Sequence, residues 1–279
     1  MSQDHQHRMD QMPPIISLIA TTPRLDFLNR VSLRSIGAQV VKPELIVIVS
    51  DKREISLGEL KGLQSIVPDI PMLSIQNMYS SGAAGSWNTG AEYIKTRYSE
   101  CYLAILDDDD EWQYNHLNSC LAEAQKHSFD VVLSGINVVN RGKVVSENIP
   151  VDISVDDFLI GNPGWQGSNT FIRLTSFLQA GGYSDGLISC NDRDLAIKVL
   201  NQNSISIGYT QCPTVQWNIN HSADALSAAG SHQKLTGAAQ FFNKYSHIMD
   251  QKQQEQYFLR MESLFNLDKK QIYKVLQGI

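Results

Sequence analysis

The sequence predicts an α/β fold, in which a mostly parallel central sheet is flanked by helices and followed by a helical C-terminal extension. From residue 15, short β-type runs alternate with longer amphipathic runs, which is typical of α/β units. The run ELIVIVSD (44–51) is continuously apolar through its centre, as strands buried on both faces of a parallel sheet are. From about residue 231 the composition is helical to the end.

Each predicted element follows from its local pattern. The apolar and β-branched runs predict strands at 15–20, 44–51, 72–75, 101–106 and 169–173, a pair at 130–139 and 141–145 joined across Asn140, and two more in SISIGYTQ and TVQWNIN. Amphipathic spacing predicts helices after Thr21-Thr22-Pro23 and at 86–97, 113–127 and 191–202. These elements divide the chain into a disordered tail (1–13), an α/β domain (14–225) and a helical extension (226–279) packed on it.

The extension carries an aromatic and apolar stripe, for which three interpretations stay open. It covers the core, forms a homodimer contact, or lies on a membrane surface. The stripe consists of Tyr257, Phe258, Met261, Leu264 and Phe265.

Composition excludes several classes of function. The net charge is -6, with 23 basic and 29 acidic residues and no basic stripe, so we expect no nucleic-acid partner. No apolar run reaches the length of a bilayer span, and the opening segment lacks the apolar region of a secretory signal. These features predict a cytoplasmic protein, with peripheral contact at the inner membrane face as the alternative. The four cysteines have no C-x-x-C spacing and are expected to be reduced.

Four consecutive aspartates, Asp107 to Asp110, follow the predicted strand at 101–106. The carboxyl ends of strands in an open α/β sheet are where ligands bind. A helix start with Asp110 as N-cap and Gln113 at N3 explains one or two of these residues. The others would raise each other's pKa at a buried strand exit unless a cation compensates them. A hard divalent cation, Mn²⁺ or Mg²⁺, that also binds a diphosphate removes this difficulty.

Several ordered motifs between residues 15 and 222 resemble the family 2 glycosyltransferases, which are inverting enzymes of the GT-A fold. No G-x-x-x-x-G-K-[ST] or G-x-G-x-x-G motif is present to indicate a P-loop or dinucleotide fold. The motifs that carry the resemblance are Thr21-Thr22-Pro23, Ser50-Asp51, Asn88-Thr89-Gly90, LDDDDEW, GSNTFIR with QAGGYSDGL, and NDRDLAIKVL.

The resemblance implies a role for each candidate residue. It implies that six residues bind the donor: Thr21, Thr22, Asp51, Asn88, Asp107 and Asp108. Among them, Asp51 is expected to bind the nucleobase, and Asp107 is expected to lie near the ribose and sugar. Asp109 resembles the direct metal ligand and His221 a histidine near the metal or diphosphate. Asp192 resembles the catalytic base. From the residues themselves, Trp165 and Gly167 are weaker candidates for the acceptor pocket.

Structural alternatives accompany these roles. Asp192 or Asn191 could cap the 191–202 helix, Asp51 could be a turn residue, and Trp165 could simply pack in the core. Two positions depart from the family pattern: Asn191 stands where Glu is common, and Trp87 stands where an arginine is usual. Leaving-group stabilisation would then rest on the metal, with His221 or Arg193 as additional groups.

The predicted function is therefore a metal-dependent inverting transfer of a sugar from a nucleotide diphosphate, by resemblance a UDP-sugar, to an acceptor hydroxyl. In-line displacement needs a carboxylate on the acceptor side and a positive group on the diphosphate side. The acceptor is a saccharide, a lipid-linked saccharide or a protein, and family analogy suggests bacterial cell-surface polysaccharide synthesis. The alternatives are a sugar-phosphate nucleotidyltransferase and an inactive nucleotide-sugar-binding module.

Overall fold

A computed structural model describes residues 13–219 and 230–278 of the chain. These residues contain nine strands that join into one sheet. The strands are β1 (Ile15–Thr21), β2 (Leu45–Ser50), β3 (Met72–Gln76), β4 (Tyr102–Asp107), β5 (Glu111–Trp112), β6 (Val131–Asn140), β7 (Lys143–Asn148), β8 (Thr170–Arg173) and β9 (Ile207–Ile219). Their order is β3-β2-β1-β4-β8-β6-β9-β5, and β7 pairs with β6.

The first four strands of this order are parallel, and their register defines the edge where the acidic residues lie. Thr21 at the end of β1 is opposite Ser50 at the end of β2, and Ala20 is opposite Asp107 of β4. The carboxyl ends of three strands therefore meet at one edge, as expected for ligand-binding α/β sheets. The strand β8 runs antiparallel to both β4 and β6, whereas β6 and β9 are parallel.

The segment predicted as two separate strands near residues 204–219 is a single strand, β9, and that prediction is wrong. A register shift opposite Gly135 interrupts its pairing with β6, and Gln211 adopts a φ of 56°. Pro213 cannot donate to a strand ladder, so the sequence looks like a break. The register shift is a β-bulge that accommodates Pro213, and the pairing of β9 with β6 continues on both sides of it.

Helices cover both faces of the sheet and form the C-terminal part of the chain. They are α1 (Leu25–Phe27, Leu28–Ser32 as a π-helical turn, and Leu33–Gly37), α2 (Leu57–Gln64), α3 (Ala83–Lys95), α4 (His116–His127), α5 (Val155–Ile160), α6 (Leu174–Gln179), α7 (Asn191–Leu200), α8 (His232–Tyr245), α9 (Gln251–Phe265) and α10 (Lys269–Leu276). No helix within the described ranges is both long and apolar enough to cross a bilayer.

The helix predicted at 113–127 begins later, at His116, with Asn115 in the N-cap position. The residues before it instead form β5, in which Glu111 and Trp112 pair with β9. Asp110 is therefore not a helix cap, and the capping interpretation of the acidic cluster is wrong. Pairing with β9 overrides the local capping pattern because it satisfies the backbone of this segment.

Two core clusters lie on opposite faces of the sheet, and alternate residues of β1 contribute to each. Leu18 belongs to one cluster and Ile19 to the other. The helices α8 to α10 join the first cluster, with Tyr257 and Phe258 buried and Leu264 exposed. Most of the aromatic stripe thus covers the core, as the first of its three interpretations proposed.

The helix α3 packs very closely over the sheet at Gly90. A Cβ atom at this position would lie 2.2 Å from Leu18 Cδ1 and 3.1 Å from Val49 Cγ2. Both contacts are with the buried interior of β1 and β2, where neighbours have little room to move. Glycine at this position lets the helix that carries Trp87 and Asn88 approach the sheet.

We expect Gly90→Ala to lower the free energy of unfolding by about 1–3 kcal/mol, because the added methyl group overpacks the core. The matched control is Gly62→Ala in α2, where a Cβ would meet nothing within 4 Å. That change should raise stability by about 0.5–1 kcal/mol through helix propensity. Denaturant titration of the two variants measures both effects, and equal stability of the two would contradict the close packing.

Candidate active site

The acidic loop between β4 and β5 is held by one serine of the 3₁₀ turn Gly167–Asn169. Ser168 Oγ accepts a hydrogen bond from the Asp107 amide at 3.1 Å and donates one to Asp110 Oδ2 at 2.6 Å. The Ser168 carbonyl accepts a hydrogen bond from Trp112 Nε1 at 2.7 Å. The loop is therefore fixed against the turn on both sides of the aspartates.

Asp108 points into the fold and is the aspartate with the most direct compensation. Its carboxylate accepts hydrogen bonds from Thr21 Oγ1 at 2.5 Å and Arg24 Nε at 3.0 Å, and Arg24 Nη2 also donates to it. Burial raises the pKa of Asp108, and the Arg24 guanidinium offsets part of that rise. Asp108 and Thr21, both predicted to bind the donor, use these groups within the fold, and their donor contact stays a prediction.

Asp107 and Asp110 lack such compensation. Burial, together with the other aspartates, raises the pKa of Asp107 well above its usual value. Burial and the charge of Asp109 raise the pKa of Asp110 to about 8, although Ser168 and the Asn218 amide donate hydrogen bonds to it. Among the described residues, no basic side chain forms an ion pair with either carboxylate. If all four carboxyls were ionised, the cluster would therefore hold more negative charge than its surroundings offset.

Asp109 is more accessible than the buried Asp108 and Asp110. Its side chain is 25% exposed, and Oδ2 lies 3.1 Å from Arg24 Nη1. The Asp109 carbonyl accepts a hydrogen bond from Asn218 Nδ2 at 3.0 Å, which fixes the backbone of the loop to β9. His221, the other predicted metal residue, lies outside the described residues.

Asp192, the predicted base, lies close to the acidic loop although 85 positions separate it from Asp107. It is the second residue of α7, whose N-cap residue Cys190 has a φ of 66°. Burial raises the pKa of Asp192 to about 7, opposed by the charge of Lys234 on α8 and by a hydrogen bond from the Gly167 amide. A Cβ at Gly167 would lie 3.6 Å from Asp107 Oδ2, so both carboxylates lie beside Gly167.

Arg193 does not face the acidic cluster, and the expectation that it could stabilise a leaving group is wrong. Its Nε donates to the Phe158 carbonyl at 2.8 Å and its Nη2 to the Leu159 carbonyl at 2.9 Å. Its guanidinium lies 4.0 Å from the centre of the Phe241 ring. These carbonyls are in the last turn of α5, where a cation is favourable, so Arg193 joins α5, α7 and α8.

Asp194 links α7, the helix that carries Asp192, to the C-terminal extension. Its fully buried carboxylate accepts hydrogen bonds from Tyr245 Oη at 2.7 Å and from Lys244 Nζ. Lys198 Nζ lies 3.6 Å from the other carboxylate oxygen. Burial alone would raise the pKa of Asp194, but these donors outweigh it and lower the pKa.

Asp51 closes the loop that follows β3. Its carboxylate accepts hydrogen bonds from Asn77 Nδ2 at 2.8 Å, Ser81 Oγ at 2.6 Å and the Gly82 amide at 3.0 Å. The Asp51 amide donates to the Thr21 carbonyl at 2.9 Å. The neighbouring residue Thr22 is exposed at the same sheet edge.

Asn88 and Trp165 have internal partners rather than open faces. Asn88 Oδ1 accepts a hydrogen bond from the Tyr183 amide, and Asn88 Nδ2 donates one to the Tyr183 carbonyl, both at 2.9 Å. Asn88 therefore holds the loop before α7, and its donor contact stays a prediction. Trp165 is fully buried, and its Nε1 donates to Thr170 Oγ1 at 2.8 Å. Its packing interpretation is the one that describes this structure.

Sequence reasoning missed three residues of the site: Ser168, Lys234 and Tyr183. Ser168 and Tyr183 lie inside quoted motifs, but neither carries a charge or a spacing that indicates a role. Lys234 lies in a segment with no recognisable motif, and only the packing of α8 brings it near Asp192. The Ser231 N-cap, whose Oγ accepts the Lys234 amide, was the available signal for the start of that helix.

The raised pKa of Asp110 predicts a pH dependence of stability. From about pH 4 to pH 8, Asp110 holds a proton in the folded chain that the unfolded chain releases. The free energy of unfolding therefore falls as pH rises through this range. Asp110→Asn should remove this contribution and gain about 3–4 kcal/mol relative to the unaltered chain between pH 5 and pH 8.

Denaturant titrations in EDTA at the lower and upper ends of this pH range measure the change in the free energy of unfolding for the two proteins. Asp69→Asn, at an exposed position, is the control and should leave the pH dependence unchanged. Parallel pH profiles for Asp110→Asn and the unaltered chain would contradict the placement of uncompensated charge here.

Comparison with curated proteins finds two bacterial relatives. One is the UDP-Glc:alpha-D-GlcNAc-diphosphoundecaprenol beta-1,3-glucosyltransferase WfgD of Escherichia coli, 26% identical over 132 residues, or 47% of this chain and 49% of that protein. The other is an uncharacterized glycosyltransferase of Haemophilus influenzae, 30% identical over 141 residues, or 49% of this chain and 47% of that protein. The chain thus spans about half the length of the curated relatives it matches.

Solved structures share the fold. S. aureus TarS 1-349, in complex with UDP-GlcNAc, superposes with a TM-score of 0.65 at 14% identity, covering 94% of this chain and 75% of that one. The mannosyltransferase PcManGT from Pyrobaculum calidifontis, in complex with GDP-Man and Mn²⁺, gives a TM-score of 0.56 at 15% identity, covering 96% and 75%. The predicted α/β fold of the GT-A type is confirmed.

A family model described as glycosyl transferase family 2 matches residues 29–170, just over half of the chain. The matched range contains the acidic loop and the Ser168 turn that holds it. The order of motifs, the sheet topology and the family match agree with one another. The chain belongs to glycosyl transferase family 2.

Proposed function

We propose that this protein transfers a sugar from a nucleotide diphosphate, a UDP-sugar, to an acceptor hydroxyl with inversion at the anomeric carbon. The observation that carries the proposal is that Asp107 and Asp192 both lie beside Gly167: a Cβ there would be 3.6 Å from Asp107 Oδ2, and the Gly167 amide donates to Asp192. An in-line displacement requires a base on the acceptor side and positive charge on the diphosphate side, and the acidic loop can hold a cation that supplies that positive charge. The name of the E. coli relative and the UDP-GlcNAc complex of TarS support a UDP-sugar as donor.

Asp192 is the proposed base. As the acceptor oxygen bonds to the anomeric carbon and the bond from that carbon to the diphosphate oxygen breaks, the acceptor proton passes to the Asp192 carboxylate. Its pKa of about 7 suits a general base that works near neutral pH. Lys234 and the Gly167 amide keep part of the carboxylate population ionised against the effect of burial.

The residues present fit a hard divalent cation, Mn²⁺ or Mg²⁺. Oxygen donors and uncompensated carboxylate charge are what such a cation requires, and Asp109 offers an accessible carboxylate. Asp109 and His221 are the proposed ligands, although no group of three or more candidate side chains lies within the described ranges. When bound, the cation offsets the charge of the departing diphosphate. The Mn²⁺ complex of the P. calidifontis structure supports this assignment.

The nucleoside is proposed to bind at the shared end of β1 and β2. Asp51 and Thr22 lie there, with Asp51 as the acceptor for a base N–H. A carboxylate has about four lone-pair sites, and three donors occupy part of this capacity. The same contacts hold Asp51 in place, so it needs no rearrangement to receive a base.

A lipid-linked saccharide is the proposed acceptor class, since the E. coli relative is named for a diphosphoundecaprenol-linked sugar. This suggests cell-surface polysaccharide synthesis at the inner membrane face, with the protein in the cytoplasm. Residues 14–225 are proposed as the transferase domain and 226–279 as an extension that supports α7. Gly167 is the proposed wall of the acceptor side.

An inactive nucleotide-sugar-binding module is the second candidate. Trp87 replaces the arginine that is usual in the family, and Arg193 turns inward to the carbonyls of α5. Two positions that could neutralise the diphosphate are therefore unavailable for it. Turnover then depends more strongly on the cation.

Asp192→Asn and Asp109→Ala should separate the two roles. Asp192→Asn should bind UDP normally in the presence of Mn²⁺ while transfer falls by roughly 10²–10⁴-fold, because the base is lost. Asp109→Ala should weaken Mn²⁺-dependent UDP binding. Calorimetry with UDP, with and without Mn²⁺, and a screen of UDP- and GDP-sugars measure these effects.

Asp69→Asn is the control for the loss of a carboxylate elsewhere. The reverse pattern, with Asp192→Asn losing UDP and Asp109→Ala retaining it, would contradict the assigned roles. Metal-dependent UDP binding without release of sugar from any donor would favour the inactive module. Preference for a nucleoside triphosphate with a sugar phosphate would favour a nucleotidyltransferase.

A further inference from the structure

Two aromatic side chains near the carboxylates carry a buried donor that has no hydrogen-bond partner within the described part of the chain. The donors are Trp87 Nε1 and Tyr183 Oη. The two residues are only 4% and 2% exposed. Buried donors are almost always satisfied in folded proteins, so each such exception indicates a missing partner.

Both side chains lie near the Asp107 and Asp192 carboxylates. The Trp87 ring approaches the Cβ position of Gly167 to 3.1 Å, and Asp107 Oδ2 lies 3.6 Å from that same point. The rings of Trp87 and Tyr183 are 4.7 Å apart. Burial, followed by the charges of Asp192 and Asp107, raises the pKa of the Tyr183 phenol far above its usual value. The hydroxyl is therefore a permanent donor close to both carboxylates.

The backbone fixes these donors in place. Asn88, next to Trp87 on α3, binds both the amide and the carbonyl of Tyr183. Gly182 has a φ of 58°, and a Cβ there would lie 2.4 Å from Asn88 Oδ1. One helix thus positions both the indole and the phenol, which lowers the entropy lost when a ligand binds.

We propose that Trp87 Nε1 and Tyr183 Oη donate hydrogen bonds to hydroxyl oxygens of the sugar that is transferred, and so select the donor sugar. This inference rests on the proposed function. The proposed function puts the transferred sugar beside Asp107 and Asp192, the two carboxylates that lie near these donors. An indole N–H carries no charge, so it suits a neutral hydroxyl rather than a phosphate. A site that hydrogen-bonds a sugar hydroxyl discriminates strongly against an analogue that lacks it.

Tyr183→Phe tests the inference, because it removes only the hydroxyl. Calorimetry with UDP, UDP-glucose and UDP-N-acetylglucosamine should show unchanged affinity for UDP. The affinity for the UDP-sugar that binds best to the unaltered protein should fall about tenfold. The melting temperature should stay the same or rise, since no protein partner is lost. Trp87→Phe should show the same loss of sugar affinity.

Tyr102→Phe is the matched control, because its hydroxyl donates to the Phe129 carbonyl at 2.7 Å, away from the site. It should lower the melting temperature and leave UDP-sugar binding unchanged. Unchanged UDP-sugar affinity in Tyr183→Phe, an equal loss for UDP, or a lower melting temperature would each overturn the inference alone. Absence of any nucleotide binding by the unaltered protein would overturn the proposed function and this inference with it.

Discussion

Uncompensated negative charge at the carboxyl end of β4 is the constraint on which the rest of the site depends. Arg24 and Thr21 compensate Asp108, but burial leaves Asp107 and Asp110 with strongly raised pKa values. Protonation or a cation can relieve this charge, and the two solutions differ in what they allow the site to bind. A bound cation adds positive charge that can attract a diphosphate, whereas protons only neutralise the carboxylates. The transfer that we propose needs the cation.

The fold is organised around holding this charge in place. The parallel register brings the ends of β1, β2 and β4 together, and the Ser168 turn fixes the acidic loop from the opposite side. The base comes from α7, which the C-terminal helices hold through Asp194 and Tyr245. The extension also supplies Lys234 beside Asp192. The C-terminal helices are thus part of the catalytic architecture that we propose.

Local patterns predicted the α/β fold, the parallel half of the sheet and the C-terminal helices, because burial on both faces makes strands such as β2 continuously apolar. The short helices α2 and α5 were missed, although capping boxes at Ser56 and Ser154 mark their starts. Side-chain direction was not predictable. Motif position suggested that the side chains of Asn88 and Arg193 face a ligand. Instead, Asn88 contacts the backbone of Tyr183, and Arg193 contacts carbonyls of α5.

Proton release on ligand binding tests the central claim most directly. Preformed Mn²⁺–UDP is titrated into the protein at pH 7 by calorimetry in two buffers with different ionisation enthalpies. If the cation takes over the compensation of the acidic loop, about one proton should leave the carboxyls for each complex bound, and the measured heat should depend on the buffer. Binding with no proton release, or no binding of Mn²⁺–UDP at all, would contradict the account.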